Sequence, residues 1–147
     1  MKGKQRPWAY FDTSVLVKRY VLENGSDQAG TLLRRNRFIS SSILLVEAAS
    51  SFKQRQDSGD LKTPQLEAIL RRFDADRIHW ELIEPGKELL DRAEQLVRKN
   101  RVRTLDAIHL ASALWFREKI RGVPLVTADS QQRAAAMALS IDVLWVE

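Results

Sequence analysis

Near the amino end the chain reads Trp8-Ala-Tyr-Phe-Asp12-Thr-Ser14-Val-Leu-Val-Lys-Arg-Tyr20, a segment that joins a strand pattern to a helix pattern. Its first residues are mostly aromatic strand formers, and after Ser14 the apolar side chains recur at helical spacing. We therefore predict that a strand gives way to a helix at Asp12. Ligands of open α/β sheets bind at this edge, where a carboxylate needs a cation or hydrogen-bond donors. The position of Asp12 thus predicts a functional site around its side chain.

Length and composition limit the class of protein. The chain has 147 residues, which we interpret as a single domain over residues 1–147 with a sizeable core. It has no cysteine and two histidines, so disulfides, thiolate metal sites and cysteine nucleophiles are excluded, and a histidine-rich zinc site is not expected. Residues 1–7 carry charge without a signal-peptide pattern, and no segment approaches the ~18 apolar residues of a membrane span. We expect a soluble, cytoplasmic protein.

The net charge of +5 comes largely from clusters of arginine, which lie within residues 34–37, 71–72, 98–103 and 117–121. Such clusters suit a polyanion, because guanidinium groups clamp phosphates and their binding releases counterions. The alternative for any one cluster is a solvated helix face, which is the commoner role of a charge run.

Strand and helix patterns alternate along the chain. The predicted strands cover residues 8–11, 37–40, 78–83, 124–129 and 141–146. The predicted helices cover residues 14–23, 26–36, 43–58, 63–76, 86–100, 105–116 and 130–139. This alternation predicts an α/β fold with a parallel or mostly parallel sheet of about five strands between helical layers.

Four acids are placed to meet at one edge of this sheet. Asp12 and Asp129 end predicted strands, whereas Glu47 and Asp106 lie in the opening turns of predicted helices. These places all fall on the carboxyl edge of a doubly wound sheet, so the four carboxylates can converge. Clustered carboxylates either hold protons or bind hard divalent cations, and Mg²⁺ or Mn²⁺ fits an all-oxygen site. Such a cation can activate a bound water and stabilise charge on a phosphodiester.

Each of these residues also has a structural interpretation. Asp12 could cap its helix, Asp106 could complement a helix dipole, and Asp129 could be a turn residue. Glu47 is harder to explain as solvated surface, because apolar residues flank it on both sides. His109 shares a helix face with Asp106, and we interpret it as a hydrogen-bonded core histidine. Three hydroxyl residues could either orient the acids or act as ordinary caps: Thr13, Ser14 and Thr127.

Four motifs occur in order over essentially the whole chain: Asp12-Thr-Ser-Val-Leu-Val-Lys18, Ser42-Ile-Leu-Leu-Val-Glu47-Ala48, Leu105-Asp106-Ala-Ile-His109-Leu-Ala-Ser-Ala113, and Leu125-Val-Thr127-Ala-Asp129 followed by Ala134-Ala-Ala136. Together they resemble the PIN-domain ribonucleases, most of all the toxin component of VapBC toxin–antitoxin pairs. The resemblance implies a three-layer α/β/α PIN-like fold with a central parallel sheet. It also implies a Mg²⁺- or Mn²⁺-dependent endoribonuclease.

The resemblance assigns roles to individual residues. Three acids match those with which such enzymes hold metal and activate water: Asp12, Glu47 and Asp106. Asp129 matches a more variable fourth acid, and Thr127 matches a hydroxyl that supports the site. Gln132 departs from the pattern, since relatives often show a leucine in this segment and some place an acid near it. This departure bears on the fourth position and not on the first three.

We therefore predict hydrolysis of an RNA phosphodiester by a metal-bound water. The candidate phosphate contacts immediately precede Asp106 and would hold the backbone without reading bases: Arg98, Lys99, Arg101 and Arg103. The resemblance further implies a homodimer and a small antitoxin that docks near the acids and silences them.

Two alternatives remain. One is a non-catalytic protein of the same fold that binds RNA or a protein partner. The other is a response-regulator receiver, which also uses clustered acids and Mg²⁺. A receiver should have adjacent acids in its first loop and a lysine after a late strand, whereas Asp12 stands alone and the late strand ends in Thr127-Ala-Asp129.

Overall fold

The computed structural model describes residues 5–147, so residues 1–4 of the charged amino-terminal segment lie outside the described residues. The strands are β1 Trp8–Phe11, β2 Arg37–Ser41, β3 Glu81–Ile83, β4 Leu125–Thr127 and β5 Val143–Trp145. The helices are α1 Thr13–Tyr20, α2 Ser26–Arg35, α3 Ile43–Asp57, α4 Thr63–Asp76, α5 Lys87–Lys99, α6 Thr104–Lys119 and α7 Ser130–Ala138.

The five strands form one sheet in the order β3-β2-β1-β4-β5, and every neighbouring pair is parallel. The chain moves outward from β1 to β2 and β3 on one side, and then returns to build β4 and β5 on the other. The strand order therefore reverses beside β1, where connections leave in opposite directions and open a crevice at the carboxyl ends. The predicted parallel sheet of about five strands is confirmed.

Helices cover both faces of the sheet. Ala9 and Phe11 of β1 point into a core shared with α1 to α4, and Tyr10 points into a second core shared with α5 to α7. This alternation follows from the two-residue period of a strand. The central strand β1 is covered on both faces and carries only aromatic and aliphatic side chains, which is typical of parallel sheets. The three-layer α/β/α fold is thus confirmed.

The predicted strand at residues 78–83 is only partly correct. A 3-10 turn occupies Arg77–His79, and β3 begins at Glu81. The alternation of apolar residues in this segment predicted that Ile78 is buried in a strand, but the residue is 77% exposed. Trp80 instead packs its ring against those of Phe38 and Phe73, which fixes the turn on the core before the strand begins.

None of the helices formed by the described residues has the length and apolar character that crossing a bilayer requires.

Candidate active site

The four predicted acids line one cavity of about 490 Å³ at the carboxyl edge of the sheet. Asp12 follows β1, Glu47 lies in α3, Asp106 lies in the first turn of α6 and Asp129 is the N-cap of α7. The remaining residues that line the cavity are Thr13, Ser14, Arg103, Thr104, Leu105 and His109. The structure therefore brings together residues from both sides of the strand-order reversal.

Asp12 lies at the bottom of this site and is only 4% exposed. Its Oδ1 accepts hydrogen bonds from the backbone N of Ser14 at 3.1 Å and from Ser14 Oγ at 2.5 Å, so it caps α1 as predicted. Thr127 Oγ1 donates to Oδ2. Burial raises the pKa of Asp12, although the Ser14 and Thr127 donors oppose the rise. The carboxyl group is therefore held in place yet favours a proton or a nearby cation.

The hydroxyls around Asp12 also join the first strand to the fourth. Ser14 Oγ accepts from the backbone N of Ala128 at 2.9 Å, and Thr127 Oγ1 accepts from the backbone N of Asp129 at 3.1 Å. Each hydroxyl can thus donate to Asp12 while it accepts from the β4–α7 connection. Ser14 and Thr127 therefore contact Asp12 and the β4–α7 connection at the same time.

Glu47 is held by two side chains from other elements. Its Oε1 accepts from Thr13 Oγ1 at 2.7 Å and lies 2.6 Å from His109 Nε2. The other ring nitrogen, Nδ1, is 2.7 Å from the hydroxyl of Tyr10. Burial alone would raise the pKa of Glu47, but its hydrogen bonds to His109 and Thr13 and its electrostatic attraction to His109 outweigh burial and lower the pKa. This glutamate is therefore ionised at neutral pH and fixed in orientation.

Asp106 and Asp129 are joined by a single guanidinium group. Arg103 Nε and Nη2 each lie 2.8 Å from Asp106 Oδ2, and Nη2 also lies 2.8 Å from Asp129 Oδ2. Burial raises the pKa of Asp106 and the charge of Asp129 adds to the rise, whereas Arg103 opposes it. The other oxygen of Asp129, Oδ1, caps α7 by accepting from the backbone N of Gln131 and of Gln132.

Two of these contacts were not predicted from sequence. Arg103 was expected to bind phosphate, yet it forms ion pairs with Asp106 and Asp129. Its position three residues before Asp106, at the start of a helix, could have indicated the first of these pairs. Tyr10 was not expected near the site, although strand alternation places its side chain on the α6 face of β1. His109 is a buried, hydrogen-bonded histidine as predicted, and it is also a direct partner of Glu47.

The other predicted phosphate contacts do not line the cavity. Arg98 and Lys99 belong to the last turn of α5, where Arg98 pairs with Glu94 at 2.9 Å. Arg101 lies in the short connection to α6 and is exposed. These three side chains are therefore not part of the cavity lining.

The sequence matches the family described as PIN domain over residues 9–137. This chain belongs to the PIN domain family. The receiver alternative is therefore wrong, and the resemblance carried by the four motifs is confirmed. The chain is 30% identical over 138 residues to a protein named Ribonuclease VapC35 from Mycobacterium tuberculosis, and the match covers 92% of this chain and 94% of that protein.

Solved structures of similar shape show the same PIN fold at low sequence identity. One is a toxin-antitoxin complex from Klebsiella pneumoniae, with a TM-score of 0.57, 19% identity and coverage of 86% of this chain and 90% of that chain. Another is VapBC2 from Rickettsia felis bound to a DNA fragment from the promoter, with a TM-score of 0.65, 15% identity and coverage of 95% and 98%. At these identities the likeness supports the fold.

The donor set of this PIN domain suits a hard divalent ion, because its candidate ligands are carboxylate and hydroxyl oxygens. Among residues 5–147, no group of three or more histidine, aspartate or glutamate side chains lies close enough to hold one ion as the side chains stand. Glu47 is instead paired with His109, and Asp106 and Asp129 are paired through Arg103. Mg²⁺ commonly keeps several waters and binds only one or two carboxylates directly, so a site for this ion does not require three of these acids as direct ligands.

Proposed function

We propose that this PIN domain is a Mg²⁺- or Mn²⁺-dependent endoribonuclease, a hydrolase of RNA phosphodiester bonds, and the toxin of a type II toxin–antitoxin pair. The observation that carries the proposal is the convergence of four carboxylates on one cavity at the carboxyl edge of the sheet. The relative named Ribonuclease VapC35 supports the reaction class, since it matches nearly the whole chain.

In this proposal three acids hold the metal directly or through water, and a fourth completes the site: Asp12, Glu47 and Asp106, with Asp129. When bound, the divalent ion supplies Lewis acidity, which lowers the pKa of water and stabilises negative charge on phosphate oxygens. Ser14 and Thr127 keep Asp12 from rotating, because they hold both of its oxygens. No side-chain nucleophile is required in this arrangement.

Two further groups of the chain act on the acids in the proposed mechanism. Thr13 and His109 both contact Oε1 of Glu47, which fixes that oxygen and leaves Oε2 without a hydrogen bond to any of the described residues. Burial raises the pKa of Asp12, and a cation in the cavity would lower it again. The burial of Asp12 therefore favours the binding of a cation next to its carboxylate.

Four basic residues are proposed to hold the RNA backbone, of which only the last lines the cavity: Arg98, Lys99, Arg101 and Arg103. They precede Asp106 and lie in the last turn of α5, in the connection to α6 and at the N-cap of α6. Contacts to phosphates position a substrate without specifying its bases, so the preferred RNA would be selected by loop or stem shape.

A small antitoxin and a second copy of this chain are the proposed protein partners, and the cytoplasm is the proposed location. One solved neighbour is a toxin-antitoxin complex and another is VapBC2, which supports a partner of this kind. An antitoxin that covers the cavity would silence the enzyme by excluding RNA from the acids.

The deciding experiment is cleavage of a mixed pool of structured cellular RNAs by purified, partner-free protein with Mg²⁺ or Mn²⁺. Asp106→Asn keeps the size of the side chain and removes its charge, so we expect loss of metal affinity and cleavage with the fold retained. Asp91→Asn is the matched control, because Asp91 pairs with Lys87 on the surface of α5. Full activity of Asp106→Asn, or cleavage that persists with chelator, would contradict the proposal; tight Mn²⁺ binding without cleavage of any RNA would favour a non-catalytic binding protein.

A further inference from the structure

We infer that Arg103 is a built-in competitor of the divalent ion for Asp106 and Asp129, and that it sets the metal affinity of the site. The inference rests on the proposed function in one respect, namely that a divalent ion binds these acids. It goes further by giving one residue of this chain control over how tightly the ion is held.

The hydrogen bonds of Asp106 and Asp129 show for which carboxylate oxygens Arg103 and a divalent ion would compete. Asp129 uses Oδ1 to cap α7, with the backbone N of Gln131 at 2.8 Å, so Oδ2 is the oxygen left to face a cation. That oxygen lies 2.8 Å from Arg103 Nη2. The same nitrogen lies 2.8 Å from Asp106 Oδ2. A divalent ion that binds these two oxygens therefore has to displace the guanidinium group.

The fork of an arginine suits this position better than a lysine would. Arg103 presents Nε and Nη2 to Asp106 and shares Nη2 with Asp129, so one planar group holds both carboxylates at a fixed spacing. A compact ammonium group lacks this fixed spacing of donors. Arg103 thus keeps the carboxylates of Asp106 and Asp129 close together, so that a divalent ion can bind both once it replaces the guanidinium group.

Arg103 can also move away from the two carboxylates into solvent. Its side chain is 64% exposed, whereas those of Asp106 and Asp129 are 18% and 30% exposed. Exposed ion pairs are weak because solvent competes for them, so the guanidinium can move to water while both acids stay where α6 and α7 hold them. Once displaced, the same side chain lies at the rim of the cavity among the basic residues that approach α6. It then becomes available to a phosphate.

Metal binding in the absence of RNA tests this inference directly. Mn²⁺ is titrated into the full chain by calorimetry at fixed pH and ionic strength, for the wild type, Arg103→Gln, Arg103→Lys and Arg101→Gln. Arg101 is exposed in the same segment and does not line the cavity, so its variant controls for the loss of one positive charge. Thermal unfolding of each protein, with and without Mn²⁺, verifies that the variants fold.

We expect Arg103→Gln to lower the Mn²⁺ dissociation constant by about three- to tenfold, since a competing cation is removed. Arg103→Lys should fall between the wild type and Arg103→Gln, and Arg101→Gln should stay within about twofold of the wild type. A residue with a merely structural role would weaken metal binding when replaced. Tighter binding together with a larger Mn²⁺-induced rise in Tm for Arg103→Gln therefore supports competition.

Other outcomes overturn the inference. Equal or weaker Mn²⁺ binding by Arg103→Gln would exclude competition, while the proposed nuclease would stand if the wild type still bound Mn²⁺ and cleaved RNA. An equal gain in affinity for Arg101→Gln would assign the effect to general electrostatics and not to displacement. Absence of Mn²⁺ binding in every protein would overturn this inference and the proposed metal site together.

Discussion

The Nε2 of His109 lies 2.6 Å from Oε1 of Glu47 and joins α6 to α3 beneath the cavity. The ring is 2% exposed, and its Nδ1 is 2.7 Å from the hydroxyl of Tyr10. An ionised glutamate can only accept, so Nε2 carries the hydrogen that this contact requires. One histidine therefore satisfies a buried hydroxyl on the sheet and orients an acid of the candidate active site.

We expect His109→Ala to lower the free energy of unfolding by about 2–4 kcal/mol, because it leaves the Tyr10 hydroxyl and Glu47 without their shared partner and opens a cavity. Urea denaturation followed by circular dichroism measures this change. His79→Ala, on the exposed 3-10 turn, should be nearly neutral. Equal losses in the two variants would show that the buried network adds nothing to stability.

Gln132 presents a different problem, since its side chain is 1% exposed and only half of its amide is satisfied. Nε2 donates to the backbone O of Asp106 at 3.2 Å, whereas Oε1 has no partner among the described residues. Gln132, interpreted from the sequence as a departure from the PIN pattern, thus links the first turns of α6 and α7.

We expect Gln132→Leu to change stability by at most about 1 kcal/mol and in the stabilising direction, because leucine keeps the volume and removes an unsatisfied buried oxygen. Gln132→Ala should cost about 2 kcal/mol through the cavity it leaves. Thermal and urea unfolding of both variants compare the two effects. If leucine were as damaging as alanine, the amide would have to be stabilising the junction of α6 and α7.

The layered fold could be predicted because its signals are local. Alternating strand and helix patterns specify a parallel sheet between helices, and the ends of those strands specify where Asp12 and Asp129 lie. That the four acids line one cavity could be predicted from the order of strands and helices alone, without knowledge of any side-chain contact. The cap that Asp12 forms on α1 was one of the interpretations open from the sequence, whereas Asp129 was interpreted as a possible turn residue and in fact caps α7.

The contacts among the acids could not be predicted, because they depend on packing between distant segments. Arg103 and Asp129 are 26 residues apart, and Tyr10 and His109 are 99 residues apart. The cluster of basic residues around Arg103 favoured a contact with phosphate. Nothing in the sequence near Arg103 shows that Asp129, the N-cap of α7, would lie within hydrogen-bonding distance. The apolar pattern at residues 78–83 failed for a similar reason, because the core receives Trp80 and leaves Ile78 exposed.

A second ion-pair network lies outside the candidate active site and ties α1 to α3. Glu23 Oε1 is 3.3 Å from Lys18 Nζ, and Oε2 pairs with Arg55. Burial favours the protonated form of Glu23, but the hydrogen bond from Arg55 and the charges of Lys18 and Arg55 outweigh it, so the pKa of Glu23 is lowered. The folded protein therefore binds fewer protons at this carboxyl group than the unfolded chain does.

The lowered pKa of Glu23 fixes the sign of a pH effect. Its contribution to stability is present above the unfolded pKa, which is about 4.3 for glutamate, and is lost as the pH falls through the lower folded pKa. We expect Glu23→Gln to be less stable than the wild type by about 1 kcal/mol at pH 7. That difference should shrink steadily below pH ~4 in urea titrations at pH 7, 5 and 3. Glu67→Gln, at an exposed position on α4, should show no such trend. A difference that stays constant or grows toward pH 3 would show that Glu23 acts through packing and not through its charge.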